Sequence, residues 1–289
     1  MNQLSRLFFV AIVMLIGMVI AVPRPYAAPI IYQTGFEPST FVPGFLVGQD
    51  GWEGVSNIPL PSSLPPCQVD CLSPNAAVIS TAEPLQGTQS VLVRGEDLVH
   101  QDFINLVTGG YYDAIGSYRR PVNYDTGGTQ TVRVSAHVRV DGPQTAQDDN
   151  FFSASINPVA QGEEDGAPSP TGVGELAISS DGGVHAYTGA DQVPTFLTSA
   201  RVRLGEWHTL AVEANFATRE TSFFVDDECL GSFPFDPRVT TDLLLRGSML
   251  TYAAPDTATK HKADYAAHFD QFTIKVVEPE ECEVKGADR

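Results

Sequence analysis

Three groups of residues in this 289-residue sequence carry side chains able to do acid–base or metal chemistry. The first is acidic: Glu163-Glu164-Asp165 and Asp226-Asp227-Glu228. Two carboxyl groups that work as a pair from one strand must point the same way, so they belong at alternate positions. Both clusters are adjacent runs instead, the first in a Gly/Pro-rich stretch and the second at a turn, so they read as loop residues. The second group is Tyr118, Arg120, Arg133, His137 and Arg139. An arginine that neutralises a carboxylate, beside a tyrosine or histidine that moves protons, is a workable elimination site. The alternative is that these residues are the polar outer face of a sheet. The third group is the four cysteines. Cys67 and Cys71 lie four apart in a Pro-rich segment, and Cys229 and Cys282 form the other pair. No histidine stands at ligand spacing beside either pair, which argues against zinc. Two disulfides are predicted, 67–71 and 229–282, with chain-entropy contributions of about 2 and about 4 kcal/mol. Serine-nucleophile and phosphate-loop motifs are missing. No catalytic residue is assigned.

The elements that must position these groups are strands. From Gln130 to Val140, Val132, Val134, Ala136, Val138 and Val140 form an apolar face, while Thr131, Arg133, Ser135, His137 and Arg139 form a polar one. That period of two marks a half-buried strand. The same alternation runs through Leu210, Val212, Ala214 and Phe216, and a second strand, Thr221–Val225, returns through Asp226-Asp227 into Glu228–Phe233. Asp tolerates the dihedrals of a tight turn and bonds its own backbone. Further strands are predicted at Ile30–Phe36, Ala76–Ser80, Ser90–Arg94, Phe103–Val107, Ile115–Arg120 (ended by Pro121), Phe151–Ile156, Leu243–Leu250 and Ala266–Val277. Val173–Ser179 and Val184–Thr188 form a hairpin around Asp181-Gly182-Gly183. Residues 141–150 and 158–172 are predicted loops. Roughly fourteen short strands and no helical period predict an all-β, two-sheet antiparallel jelly-roll sandwich.

The N-terminus has a different character. Arg6 precedes a 16-residue apolar run, Leu7–Val22, followed by Pro23-Arg24-Pro25-Tyr26-Ala27-Ala28. Residues 1–28 read as a secretory signal, with an uncleaved anchor as the alternative. Residues 29–278 are the expected domain and 279–289 a C-terminal tail. The expected location is secreted or cell-surface, or periplasmic in a Gram-negative host, with no membrane insertion of the mature chain. Without Arg6 and Arg24 the chain has 15 Lys+Arg against 35 Asp+Glu, a net charge of about −20. Nucleic acid and anionic membrane are disfavoured partners. A polyanionic sugar is disfavoured too, unless basic residues reverse the field locally. Acidic loops on exported β-domains also suit calcium.

Several motifs carry a resemblance. Trp207, Phe224, Val225, Asp226 and Gly231 match the W…(Y/F)-V-D-G-x-x-x-G hairpin of laminin-G-like and concanavalin A-like jelly-roll domains, with Asp227 where that family carries Gly. Phe36, Glu37, Gly48, Gln49, Gly51 and Trp52 resemble the opening of exported bacterial concanavalin A-like domains and the F-E opening of MAM-type adhesion modules. The segment from Glu83 to Leu92 is similar to the one preceding the third laminin-G-like strand, and HFDQFTIKVV resembles the terminal strand. Together they cover residues 30–278. The resemblance implies a concanavalin A-like sandwich. It lacks the E-x-D-x-E strand of glucanase members and the R-x-E-L, Q-(I/V)-H and Y-F-K-x-G motifs of alginate-lyase-like members. What it implies is therefore non-catalytic recognition of an extracellular glycan or cell-surface polysaccharide, with a diverged lyase or a structural exoprotein as alternatives. It further implies Ca²⁺ held by Glu37 and Asp270, because the first and last strands of such folds pair. Tyr111, Tyr112, Tyr118 and Tyr124 are the expected sugar-stacking set; Trp52 and Trp207 are expected in the core.

Overall fold

The computed structural model describes residues 28–57, 76–95, 114–142, 151–188, 194–195, 200–254, 265–280 and 282. The strands follow in chain order: β1 (Ile30–Thr34), β2 (Gly44–Phe45), β3 (Glu53–Asn57), β4 (Ala77–Ser80), β5 (Ser90–Arg94), β6 (Ala114–Asp125), β7 (Thr131–Asp141), β8 (Phe151–Glu164) and β9 (Ala167–Gly172). After them come β10 (Glu175–Ser179), β11 (Val184–Tyr187), β12 (Pro194–Thr195), β13 (His208–Asn215), β14 (Glu220–Val225), β15 (Glu228–Pro234), β16 (Leu243–Ala254) and β17 (Ala266–Val277). They form two antiparallel sheets. The first runs β15-β14-β13-β7-β17-β5-β4-β2, with β1 also on β17; the second runs β12-β11-β10-β8-β16-β6-β3, with β9 on β8. The two-sheet sandwich predicted from alternation is present.

Strand β7 shows why the layers stack. Val132, Val134, Ala136, Val138 and Val140 are all buried between the sheets, facing Phe152, Ala154 and Ile156 of the same core. Burying a side chain of this size contributes about 1.5–3 kcal/mol. At one end an aromatic cluster closes the sandwich. Trp52 packs on Phe272 (5.1 Å between ring centres) and Phe36 (5.8 Å), and donates from Nε1 to the Tyr32 hydroxyl at 3.0 Å. Trp52 is core as expected, whereas Trp207 is half-buried, edge-on to His268. The β14–β15 turn uses Asp226 and Asp227 with φ of 50° and 63°. That is the type I′ geometry suited to a two-residue hairpin, so Asp227 takes the conformation the related Gly would hold.

Three elements differ from the sequence expectation. Residues 158–172 are not a loop: β8 runs on to Glu164 and pairs with β9 across Asp165-Gly166, both at positive φ. Pro168 and Pro170 are tolerated because β9 is an edge strand, where a missing N–H removes no ladder bond. Pro121 does not end β6, which continues to Asp125; it lies opposite Arg246, where the β6–β16 register shifts and the ladder is already interrupted. β1 stops at Thr34, two residues before Phe36, which sits at positive φ. Cys229 and Cys282 are bonded, with Cα atoms 5.4 Å apart. The predicted signal, the 103–107 strand and the Cys67–Cys71 bridge lie outside the described residues. No helix among the described residues is long and apolar enough to cross a membrane.

Candidate functional site

The elimination set does not assemble. Tyr118 faces the core from the second sheet and is 2% exposed. Arg120 stacks its guanidinium 4.4 Å from the centre of the Tyr32 ring. Arg133, His137 and Arg139 do share the outer face of the first sheet, but both arginines are already paired with carboxylates. Arg133 bonds Glu213 (3.1 Å) and Asp227 (3.2 Å), with Glu280 at 3.6 Å. Arg139 bonds Glu83 and Asp141, both at 2.7 Å. His137 lies opposite Thr209 and Asp270, and burial pulls its pKa below the ordinary histidine value. Alternation read along β7 is correct for these three; Tyr118 and Arg120 fall in the other sheet, on its inward parity. The tyrosine set divides as well. Tyr118 is core, Tyr124 is half-buried with its hydroxyl donating to Gln130 Oε1 at 2.7 Å, and Tyr111 and Tyr112 lie outside the described residues.

Glu37 and Asp270 meet at one loop, because β1 pairs with β17. Asp270 is fully buried; its Oδ2 accepts the backbone N–H groups of Leu85 and Gln86 at 3.1 Å, and its Oδ1 accepts that of Gln271 at 2.7 Å. Glu37 accepts the N–H of Thr88 at 3.1 and 3.2 Å and its hydroxyl at 3.0 Å. Gly87, at φ +71°, leaves the space the Glu37 carboxylate occupies: a Cβ there would lie 1.8 Å from Oε1. Burial raises the Asp270 pKa, and the Glu37 charge adds to the rise against three backbone hydrogen bonds. Among the described residues neither carboxylate bonds a Lys or Arg.

The second sheet presents a polar row that sequence reading missed. Glu53 of β3 pairs with Arg119 of β6, Arg119 with Ser248 of β16, and Ser248 with Asn157 of β8. The β8–β10 register sets Asn157 beside Glu175, which pairs with Tyr187 of β11. All six side chains point outward, since the flanking Tyr118, Ile156, Leu176 and Ala186 are core. Gly247 confirms the parity on β16: a Cβ there would strike Ile274 and Phe272. Six strands at a spacing of about 4.8 Å make this row about 24 Å long. Ser155 and Asn157 both bond Glu175, the first at 2.6 Å, yet burial still pushes its carboxyl above the usual range. Burial and then the Glu175 charge raise the Tyr187 hydroxyl, and the His185 ring lies 6.5 Å from that of Tyr187. Asn157 Oδ1 is buried without a hydrogen-bond partner. A narrow pocket of about 90 Å³ opens among Asn157, Gly174, Glu175 and Tyr187. The face offers amide, hydroxyl, carboxyl and aromatic groups together, the mixture that binds a hydroxylated ring. The signal available in sequence was Ser153-Ala154-Ser155-Ile156-Asn157, whose alternation puts three polar residues on one side of β8.

No protein-family model matches this chain, and no curated protein matches it. Solved structures do match in shape. An endo-1,3-β-glucanase from Streptomyces sioyaensis superposes with a TM-score of 0.55 at 13% identity, over 90% of this chain and 100% of that one. A carbohydrate esterase from the Shiga toxin-encoding bacteriophage phi24B does so with a TM-score of 0.51 at 14% identity, over 87% of this chain and 100% of the other. What the chain shares with them is the fold, a two-sheet antiparallel jelly-roll sandwich.

Proposed function

We propose that this protein recognises a glycan or polysaccharide outside the cytoplasm, seating it along the row from Glu53 to Tyr187. The observation that carries this reading is the continuity of the row: six outward polar side chains, one from each of six adjacent strands. Two neighbours of the same fold being named a glucanase and a carbohydrate esterase is in keeping with it. Binding is favoured over hydrolysis by distance. The row's two carboxyl groups, Glu53 and Glu175, are four strand spacings apart, about 19 Å, whereas glycosidase pairs stand about 5–9.5 Å apart. Location outside the cytoplasm is supported by the apolar run Leu7–Val22 and by the Cys229–Cys282 bond.

The test is oligosaccharide titration by calorimetry. Tyr187→Ala and Asn157→Ala should each weaken binding at least about tenfold, or 1.4 kcal/mol, with the melting temperature checked in parallel. Unchanged affinity in folded Tyr187→Ala protein would refute the site.

Calcium at Glu37 and Asp270 belongs to the same proposal. Hard carboxylate oxygens suit Ca²⁺, and two acids meeting without a cationic partner support it. The oxygens already accept N–H groups, so the ion would take their remaining lone pairs and hold the 85–88 loop. Saturating Ca²⁺, at about 100 times its Kd, should add about 2.7 kcal/mol at pH 7. The pH sign is set by Asp270. In the metal-free protein its folded pKa is raised, so its contribution to stability is full below the unfolded pKa and lost as pH rises through the folded one. Calcium needs the ionised form, so the Ca²⁺-induced rise in melting temperature should vanish on acidification below the raised pKa. It should also be absent in Glu37→Gln and Asp270→Asn. A melting curve indifferent to Ca²⁺ and chelator at pH 7 would remove calcium from the account.

A further inference from the structure

The chain has 35 acidic residues against 17 basic ones, and its arginines are correspondingly claimed. Arg133, Arg139, Arg201, Arg203, Arg219 and Arg238 each bond a carboxylate. Arg119 and Arg246 do not: among the described residues neither has a carboxylate partner. Arg119 donates only from Nε to the Ser117 hydroxyl at 3.2 Å, and Arg246 Nε is buried with no acceptor. The two are diagonal neighbours on the outer face of the second sheet, since Ser248 stands opposite Arg119 and Arg246 is two residues before it. On one face such neighbours approach within about 7–8 Å. Burial and then the Arg119 charge draw Arg246 below its ordinary pKa. Among the described residues Glu53 is the one carboxylate whose charge acts on both. A like-charge pair, half-buried and without a bonded carboxylate in a protein rich in them, leaves a gap shaped for an anion from outside. A guanidinium fork matches a planar carboxylate with two parallel hydrogen bonds.

We infer that Arg119 and Arg246 form a subsite for the carboxylate of a uronate unit, so that the glycan bound along the row is an acidic one. This rests on the row being the glycan site, and it reverses the expectation that net charge disfavours polyanionic sugars, because two neighbouring arginines without a bonded carboxylate stand at this point of the face.

The experiment compares oligogalacturonate with its carboxyl-reduced, neutral galactan counterpart on the full chain. Wild-type protein should bind the uronate at least about tenfold more tightly, with a preference that shrinks as salt rises. Arg246→Gln should abolish the preference while leaving neutral-sugar affinity unchanged, Arg119→Gln should abolish the preference as well, and Arg246→Lys should restore part of it. Tyr187→Ala should weaken both ligands. Equal affinity for the two ligands, or undiminished preference in both folded Gln variants, overturns the uronate subsite and leaves the glycan row standing. Binding of neither sugar overturns both. A preference for sulfated galactan over uronate also overturns the assignment.

Discussion

Removal of the Cys229–Cys282 bond should lower the free energy of unfolding by about 4 kcal/mol. The bond closes a loop across a sequence separation of 53, and the unfolded chain regains that closure entropy when it is cut. For a domain of this size the melting temperature should fall by roughly 8–16 °C. The location explains why the effect reaches the whole sandwich. Cys229 is on β15, at the edge of the first sheet; Cys282 follows β17, which pairs with β1, β5 and β7. Beside the bond, Arg133 reaches Asp227 in the β14–β15 turn and Glu280 in the segment after β17. This is a second, non-covalent clasp on the same two pieces of chain, but exposed carboxylates contribute little each. Urea unfolding of the Cys229→Ala/Cys282→Ala double variant, with the wild type under reductant as control, is the measurement. A loss below about 1 kcal/mol would mean that the clasp alone holds the tail.

Trp52→Ala should cost about 3–5 kcal/mol, the range for deleting a buried large aromatic side chain. Trp52 is 1% exposed and wedged among Tyr32, Phe36 and Phe272, which come from both ends of the domain. Its loss leaves a cavity there and takes the indole donor from the Tyr32 hydroxyl, which itself donates to Asp50 at 2.6 Å. Tyr32 is already in an unusual setting: burial, with the Asp50 hydrogen bond, pushes its hydroxyl pKa up to about 12. Trp52→Phe keeps most of the packing and loses the hydrogen bond, so it should cost about 1–2 kcal/mol. Equal losses in the two variants would place the energy in the hydrogen bond rather than the packing. A loss below about 1 kcal/mol in Trp52→Ala would show that this end of the core collapses without cost.

What could be read in advance divides by the range of the interaction. Strand β7 was legible because its five inward residues alternate within eleven positions, and β10–β11 because Asp181-Gly182-Gly183 punctuates them. The β8–β9 hairpin carries conflicting local signals: Asp165-Gly166 is a strong two-residue turn signal, and the prolines that follow it oppose a strand. Those prolines argue against a central strand, and only the pairing shows that β9 is an edge. Glu37 and Asp270 meet at the 85–88 loop, and the resemblance had already brought them together through paired terminal strands. Tyr118 misled because its inward parity depends on where β6 starts, and Pro121 concealed how far that strand extends.

The sequence by itself determined the layered β architecture and the acidic composition, since each follows from patterns a few residues wide or from counting. Tertiary structure alone decided which face carries the candidate site. The row joins Glu53, Arg119, Asn157, Glu175, Tyr187 and Ser248, separated by as many as 195 positions in the chain and sharing no motif. They line up because five registers, each fixed by its own strand pair, bring one residue from each of six strands to the same level. A slip of one residue in any of them would turn that side chain into the core, and no local pattern records the combination.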